Sequence, residues 1–373
     1  MQVLKATRKV YMSILTVVLL LTTSFATTFA WVGILTYSEL ENFELNLKVE
    51  DISKDYSLLV STNEHGPFRE EINMSDVKMQ IMNNLGVDTS KLETPSSINS
   101  AFNIVSIAPV TSTRVGNELV NWQTFSNVDK NFFPSNDYFK FDLYFSVDRK
   151  DKGDNADDSN VDVPSGIIFM ASNDSMVGEK CTIAVINGIT YPSEDTIFND
   201  ITLSHPGFDI YDQSVTIDSS YATRLAIQVY DPIDISSEYS SEDLANSLYI
   251  YEKGGLIPSY NETTNTYSFG GILPEEYNLA FQEFKSIYNF GGWFTIPYEA
   301  YERGDKEIGG NQVLVSEEDG TFGITNGVAN KVKISVYFWY EGWDSDCINA
   351  LAGTRTTINL SFSASENKQE ENE

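Results

Sequence analysis

Apolar and polar side chains alternate with a period of two along much of this chain, which restricts it to a fold built from half-buried β-strands. Phe43, Leu45, Leu47 and Val49 alternate with Glu44, Asn46, Lys48 and Glu50. Phe139, Phe141, Leu143, Phe145 and Val147 alternate with Lys140, Asp142, Tyr144 and Ser146. Val332, Ile334, Val336 and Phe338 do the same against Lys331, Lys333, Ser335, Tyr337 and Trp339. Ile358, Leu360 and Phe362 supply a last strand, and shorter candidates lie at 58–61, 104–110, 166–170, 182–186, 225–230 and 248–251. One wet and one buried face per strand predicts an all-β fold, an antiparallel β-sandwich of one main domain over residues 31–364.

Helix is sparse. Ser75 is placed to cap a short helix through Val77, Ile81, Met82 and Leu85 that ends at Gly86. Pro274 starts a second pattern in which Tyr277, Phe281, Phe284 and Ile287 or Tyr288 share a face. That pattern lies in an excursion of about 254–330, rich in Tyr, Gly and Glu, read as a helix-containing insertion in the sandwich. The segment 365–373 is charged and lacks large apolar residues, so it reads as a disordered acidic tail.

Residues 1–30 read as a signal peptide: a basic start at Lys5, Arg8 and Lys9, an apolar stretch from Val10 to Leu21, and small residues around Thr28-Phe29-Ala30. Cleavage places the mature start at Trp31. Retention as an anchor is the alternative, because no charge falls between Val10 and Leu35. The formal net charge of -30 argues against nucleic acid and, after cleavage, against anionic membrane surfaces, both of which call for Lys and Arg. With 41% apolar residues the chain can still bury a substantial core.

Catalytic templates are missing: there is no His-Glu-x-x-His, Gly-x-Ser-x-Gly, P-loop or dinucleotide fingerprint, and His65 and His205 both sit in turn compositions. The chain is therefore expected not to be an enzyme and to need no cofactor other than, at most, calcium. Asp151, Asp154, Asp157, Asp158 and Asp162 form an acidic run that can supply calcium ligands, or can be a solvated loop, since the spacing fails the EF-hand pattern. Cys181 and Cys347 are the only cysteines. In an exported chain they can form a disulfide worth on the order of 4–5 kcal/mol, or remain as two buried thiols. The densest motif runs from Tyr337 through Glu341, Gly342, Trp343 and Asp344 to Cys347. It reads as a strand with aromatics on both faces, broken at Gly342, so the inserted region or another subunit is expected to cover Tyr337 and Trp339.

Several segments together resemble the TasA and camelysin group of bacterial secreted proteins. They are Phe29-Ala30-Trp31 after the Thr-rich apolar stretch, Leu45-Asn46-Leu47-Lys48-Val49, 58–63, 222–227, 249–251, and Tyr340-Glu341-Gly342-Trp343-Asp344 through Cys347. The resemblance is patchy and most specific at the leader, and the chain is longer than a minimal member of the group. It implies a jelly-roll-like sandwich exported by Gram-positive cells, often a subunit of biofilm-matrix fibres in which the N-terminal strand of one subunit completes the sheet of the next. The donor segment here is Trp31, Val32, Ile34, Leu35, Tyr37 and Leu40, continuing to Leu47; the alternative is that it packs within its own chain as a first strand. The metalloprotease activity associated with camelysin is not carried over, because no zinc-ligand pattern is present. The expectation is a secreted or cell-surface structural protein that associates with itself or with other surface proteins. The alternative is a monomeric surface module that binds a glycan or protein ligand against exposed aromatics such as Trp122, Trp293, Trp339 or Trp343.

Overall fold

The alternating segments become the strands of two packed sheets, and in both the apolar side of the alternation faces the space between them. The structure is a computed structural model that describes residues 40–41, 43–50, 56–126, 131–149, 163–186, 189–191, 213–253, 258–261, 266–269, 303–315, 322–325, 328–342, 347 and 354–366. In chain order the elements used below begin with β1 (Phe43–Glu50), β2 (Tyr56–Ser61), α1 (Met74–Asn84) and α2 (Pro95–Phe102). Then follow β3 (Thr111–Val115), β4 (Glu118–Ser126), β5 (Asn131–Pro134), β6 (Phe139–Arg149) and β7 (Val163–Met170). The remainder are β8 (Thr223–Val229), β9 (Ser247–Glu252), β10 (Asn311–Val315), β11 (Val328–Tyr340) and β12 (Thr356–Glu366).

The first sheet runs β2-β6-β11-β8-β9, all antiparallel, with Val336 opposite both Phe141 and Ile227. The second runs β1-β12-β7-β10, antiparallel except for the parallel pair β1-β12. Between them lies an aliphatic and aromatic core, in which Phe362 of β12 meets Phe145 at 5.1 Å and Phe169 at 5.7 Å between ring centres. This is the expected β-sandwich.

β11 is buried on both faces, as its two-sided aromatics require. Val332, Ile334, Val336, Phe338 and Tyr340 point into the main core. Tyr337 and Trp339 point the other way, into a second core with Ala226, Leu248 and Ile250 of the same sheet and Val110 and Leu119 from outside it. The cover is a small antiparallel sheet, β3-β4-β5, to which the region 254–330 adds Arg303 over the Trp339 ring. Its attachment depends on a β-bulge. Asn121 and Trp122 together oppose Ser112, and Asn121 takes a left-handed φ of 54°. The bulge turns Trp122 onto the large sheet, where it stacks on Tyr138 at 3.8 Å and meets Trp339 edge-on at 5.2 Å.

Both described helices lie between β2 and β6, two paired strands, so this is where the described residues show a helix-containing excursion. In α1 the cap is Asn73, whose side chain accepts the Ser75 N–H at 3.1 Å, two residues ahead of the expected cap. Val77, Ile81 and Met82 are buried as their spacing predicts, and Gly86 ends the segment with a φ of +74°. α2, with a capping box of Thr94 and Ser97 around Pro95, ends at Phe102, ahead of the strand expected at 104–110, of which Ser106–Ile107 is a short strand and Val110 bridges to Glu341. Within 254–330 the described elements are strands, and the pattern beginning at Pro274 lies outside the described residues. β12 continues through Glu366, taking in the first two residues of the segment read as a tail, because Ser365 and Glu366 pair with Gly166 and Ser165.

At one end a buried hydroxyl knot joins the two sheets. Ser219 Oγ lies 2.9 Å from Thr356 Oγ1, and Tyr340 donates to the same Thr356 oxygen at 2.7 Å. Asp218 accepts from the N–H and hydroxyl of Ser220 at 2.9 and 2.6 Å. This turn presses on Gly178, where a Cβ would stand 2.1 Å from Asp218 Oδ1 and 2.3 Å from the Ser220 nitrogen. Gly178→Ala is expected to destabilise the fold by about 3 kcal/mol, the upper range for an overpacked site, read as a lowered denaturation midpoint in urea.

Candidate functional site

β1 lies at the outer edge of the second sheet, and among the described residues β12 is its one ladder partner. The pairing is parallel, from Phe43 opposite Thr356 to Glu50 opposite Ser363. Inward, Leu45 is buried and Leu47 and Val49 rest half-buried on the core; outward, Glu44, Asn46 and Lys48 are exposed. On that outer face Asn46 Nδ2 donates to Asn359 Oδ1 at 2.9 Å, and Asn359 Nδ2 donates to the Asp174 carbonyl at 2.8 Å. Just ahead of β1, Leu40–Glu41 pairs antiparallel with Ser106–Ile107. Leu40 of the donor segment therefore sits in a ladder within its own chain. Trp31, Val32, Ile34, Leu35 and Tyr37 lie outside the described residues.

The motif at the end of β11 holds a buried ion cluster. Arg224 of β8 meets Asp305 at 3.0 Å and Glu252 at 2.9 Å. Arg303 meets Asp305 at 2.9 Å and Glu341 at 2.6 Å, with its guanidinium 5.2 Å from the Trp339 ring centre. The Trp339 indole N–H donates to the same Glu341 oxygen at 3.2 Å. Burial alone raises the Asp305 carboxyl, but Arg303 and then Arg224 outweigh it and hold its pKa below the usual carboxylate value. Burial acts on Arg303 in the opposite sense, and Asp305 and Glu341 override it to keep that guanidinium charged. Asp305, Glu341 and Glu252 are each engaged by a guanidinium. The cluster fastens 303–305 to the sheet and seals Trp339. Gly342 completes the joint by donating its N–H to the Val110 carbonyl at 3.0 Å.

Sequence reasoning singled out Glu341 but not its partners. Arg224 had left one signal, a charge beside the apolar run of β8, whereas Arg303 and Asp305 are brought in from far along the chain. Trp343 and Asp344 lie outside the described residues. Cys347 is a buried thiol in the main core, and the side chain of Cys181 lies outside the described residues. Trp339 is 0% exposed, which corrects its assignment as an exposed platform: the small sheet and Arg303 close over it. Trp122 is half-buried against Tyr138, and Trp293 lies outside the described residues.

The acids Asp151, Asp154, Asp157, Asp158 and Asp162 also lie outside the described residues, among which no His, Cys, Asp and Glu cluster is arranged to hold a metal. No helix among the described residues is long and apolar enough to cross a membrane. At the head of α1 a polar groove of about 210 Å³ is lined by Asn63, Arg69, Glu71 and Asp76. Asp76 is held there by Thr62 at 3.1 Å and Asn73 at 2.7 Å.

Removing Arg303 as Arg303→Met leaves two buried carboxylates short of their partner, so a loss of about 3–5 kcal/mol is expected in urea unfolding. Because the Asp305 pKa is depressed on folding, its stabilisation is complete above the unfolded carboxyl pKa and is lost as pH falls through the folded one. Thermal unfolding below about pH 4 is expected to show a shallower pH slope in Asp305→Asn, alongside lower stability at neutral pH. No family model, curated protein or solved structure matches this chain.

Proposed function

We propose that this is a noncatalytic structural protein of an extracellular or cell-surface layer, whose copies join by exchanging their N-terminal strand. The observation that carries the reading is β1 itself: a parallel strand added to one edge of an otherwise antiparallel sheet, with Leu45 as its fully buried anchor. A neighbour's β1 seated on the same β12 makes the same contacts, so exchange costs little in enthalpy and is governed by concentration. The apolar run Trp31 to Leu40 directly ahead of β1 supports it, since such a segment calls for a partner once residues 1–30 are removed. So does the resemblance to the TasA and camelysin group. The net charge of -30 opposes close association and makes assembly dependent on salt or divalent cations.

The polar groove at the head of α1 favours a second reading, a monomeric surface module holding a glycan or protein ligand. Size exclusion and negative-stain microscopy of residues 31–373, beside a chain that begins at Asp51 and so lacks β1, separate the two. Concentration-dependent multimers or fibres are expected for the longer chain and not for the shorter. Identical monomers from both overturn the assembly reading and transfer its weight to the ligand module.

A further inference from the structure

Alternation decides which face of β1 meets the core, but it does not decide where along β12 the strand sits. A shift of two residues returns Leu45, Leu47 and Val49 to the same face. The outer face distinguishes the registers. There the pairs are Glu44 with Thr357, Asn46 with Asn359, and Lys48 with Ser361. The Asn359 amide is aimed: its nitrogen donates to the Asp174 carbonyl at 2.8 Å, which turns its oxygen towards Asn46 at 2.9 Å. Shifted two residues one way, Glu44 brings a carboxylate against that fixed acceptor. Shifted the other way, Asn46 stands opposite Thr357 and Lys48 opposite Asn359, so the amide pair is lost.

The local sequences match as well. Asn46 stands in Leu45-Asn46-Leu47 and Asn359 in Ile358-Asn359-Leu360, so like residues meet side by side. Parallel in-register pairing is the arrangement in which such amide ladders form.

We infer that Asn359 determines the register, and with it the identity, of the strand admitted to the edge of the second sheet. The slot takes an asparagine between two inward apolar residues, which a second copy of this chain supplies as Leu45-Asn46-Leu47. The identity of that partner rests on the strand-exchange reading; the register-setting role does not.

Two cysteine pairs test it, each in residues 31–373 carrying Cys181→Ser. Lys48→Cys with Ser361→Cys reports the observed register, and Lys48→Cys with Ser363→Cys reports a shift of two, since Ser363 lies opposite Glu50. With Asn359 present, mild oxidation is expected to link the first pair and not the second. Loss of one amide hydrogen bond, in Asn359→Ala, is expected to raise the share of the second product about five-fold. An unchanged ratio overturns the inference. Asn46→Ala, at an exposed position, removes the same bond from the other strand and is expected to shift the ratio in the same direction, which keeps the test decisive if Asn359→Ala fails to fold. The size of the linked species reports separately on exchange: covalent multimers support it, whereas linked monomers alone remove the second copy as partner and leave the register result standing.

Discussion

The structure depends on burying both faces of one strand. β11 carries apolar side chains inward and Tyr337 and Trp339 outward, so a two-layer sandwich leaves half of its aromatic surface in water. A third layer answers this, and its details follow from the requirement. The bulge at Asn121 exists to bring Trp122 down onto the sheet, and the chain from Val110 is tied to Tyr340 and Gly342 by backbone hydrogen bonds. At the end of the strand Arg303, itself fully buried, closes over Trp339.

The ion cluster is then a consequence of that closure. A guanidinium placed over a buried indole has left water and needs carboxylates around it. Glu341, in the same strand extension, and Asp305, two residues from Arg303, provide them. Arg224 from β8 balances Asp305 and passes the surplus to Glu252 at the rim. Their mutual pairing makes them a fastener. The two-sheet hydroxyl knot at Thr356 serves the same end of the molecule without charge.

The strands were legible in the sequence because one side chain in two had to be apolar, and the double burial of β11 because its aromatics broke that rule. α1 was legible from Val77 and Ile81, with its cap displaced to Asn73. α2 escaped notice because eight residues with two buried apolar positions, Ile98 and Phe102, make a weak period, although Thr94-Pro95 marked its start. Other features have no local signature. Gly178 is constrained by a turn some forty residues away along the chain, and Arg303 is matched to Glu341 through the fold alone. The parallel sense of β1 also escaped the pattern, since alternation is the same in either direction.

The parallel pair has a temporal consequence. Asn46 and Asn359 are separated by 313 positions, so the first strand leaves the ribosome long before its partner exists, by roughly 15–60 s at ordinary elongation rates. Throughout that interval Leu45, Leu47 and Val49 lack the surface that later covers them. The second sheet is therefore closed last, by a contact of very high contact order. A chain of this design is most vulnerable while incomplete, and its need for a protective partner is greatest before its final residues are made.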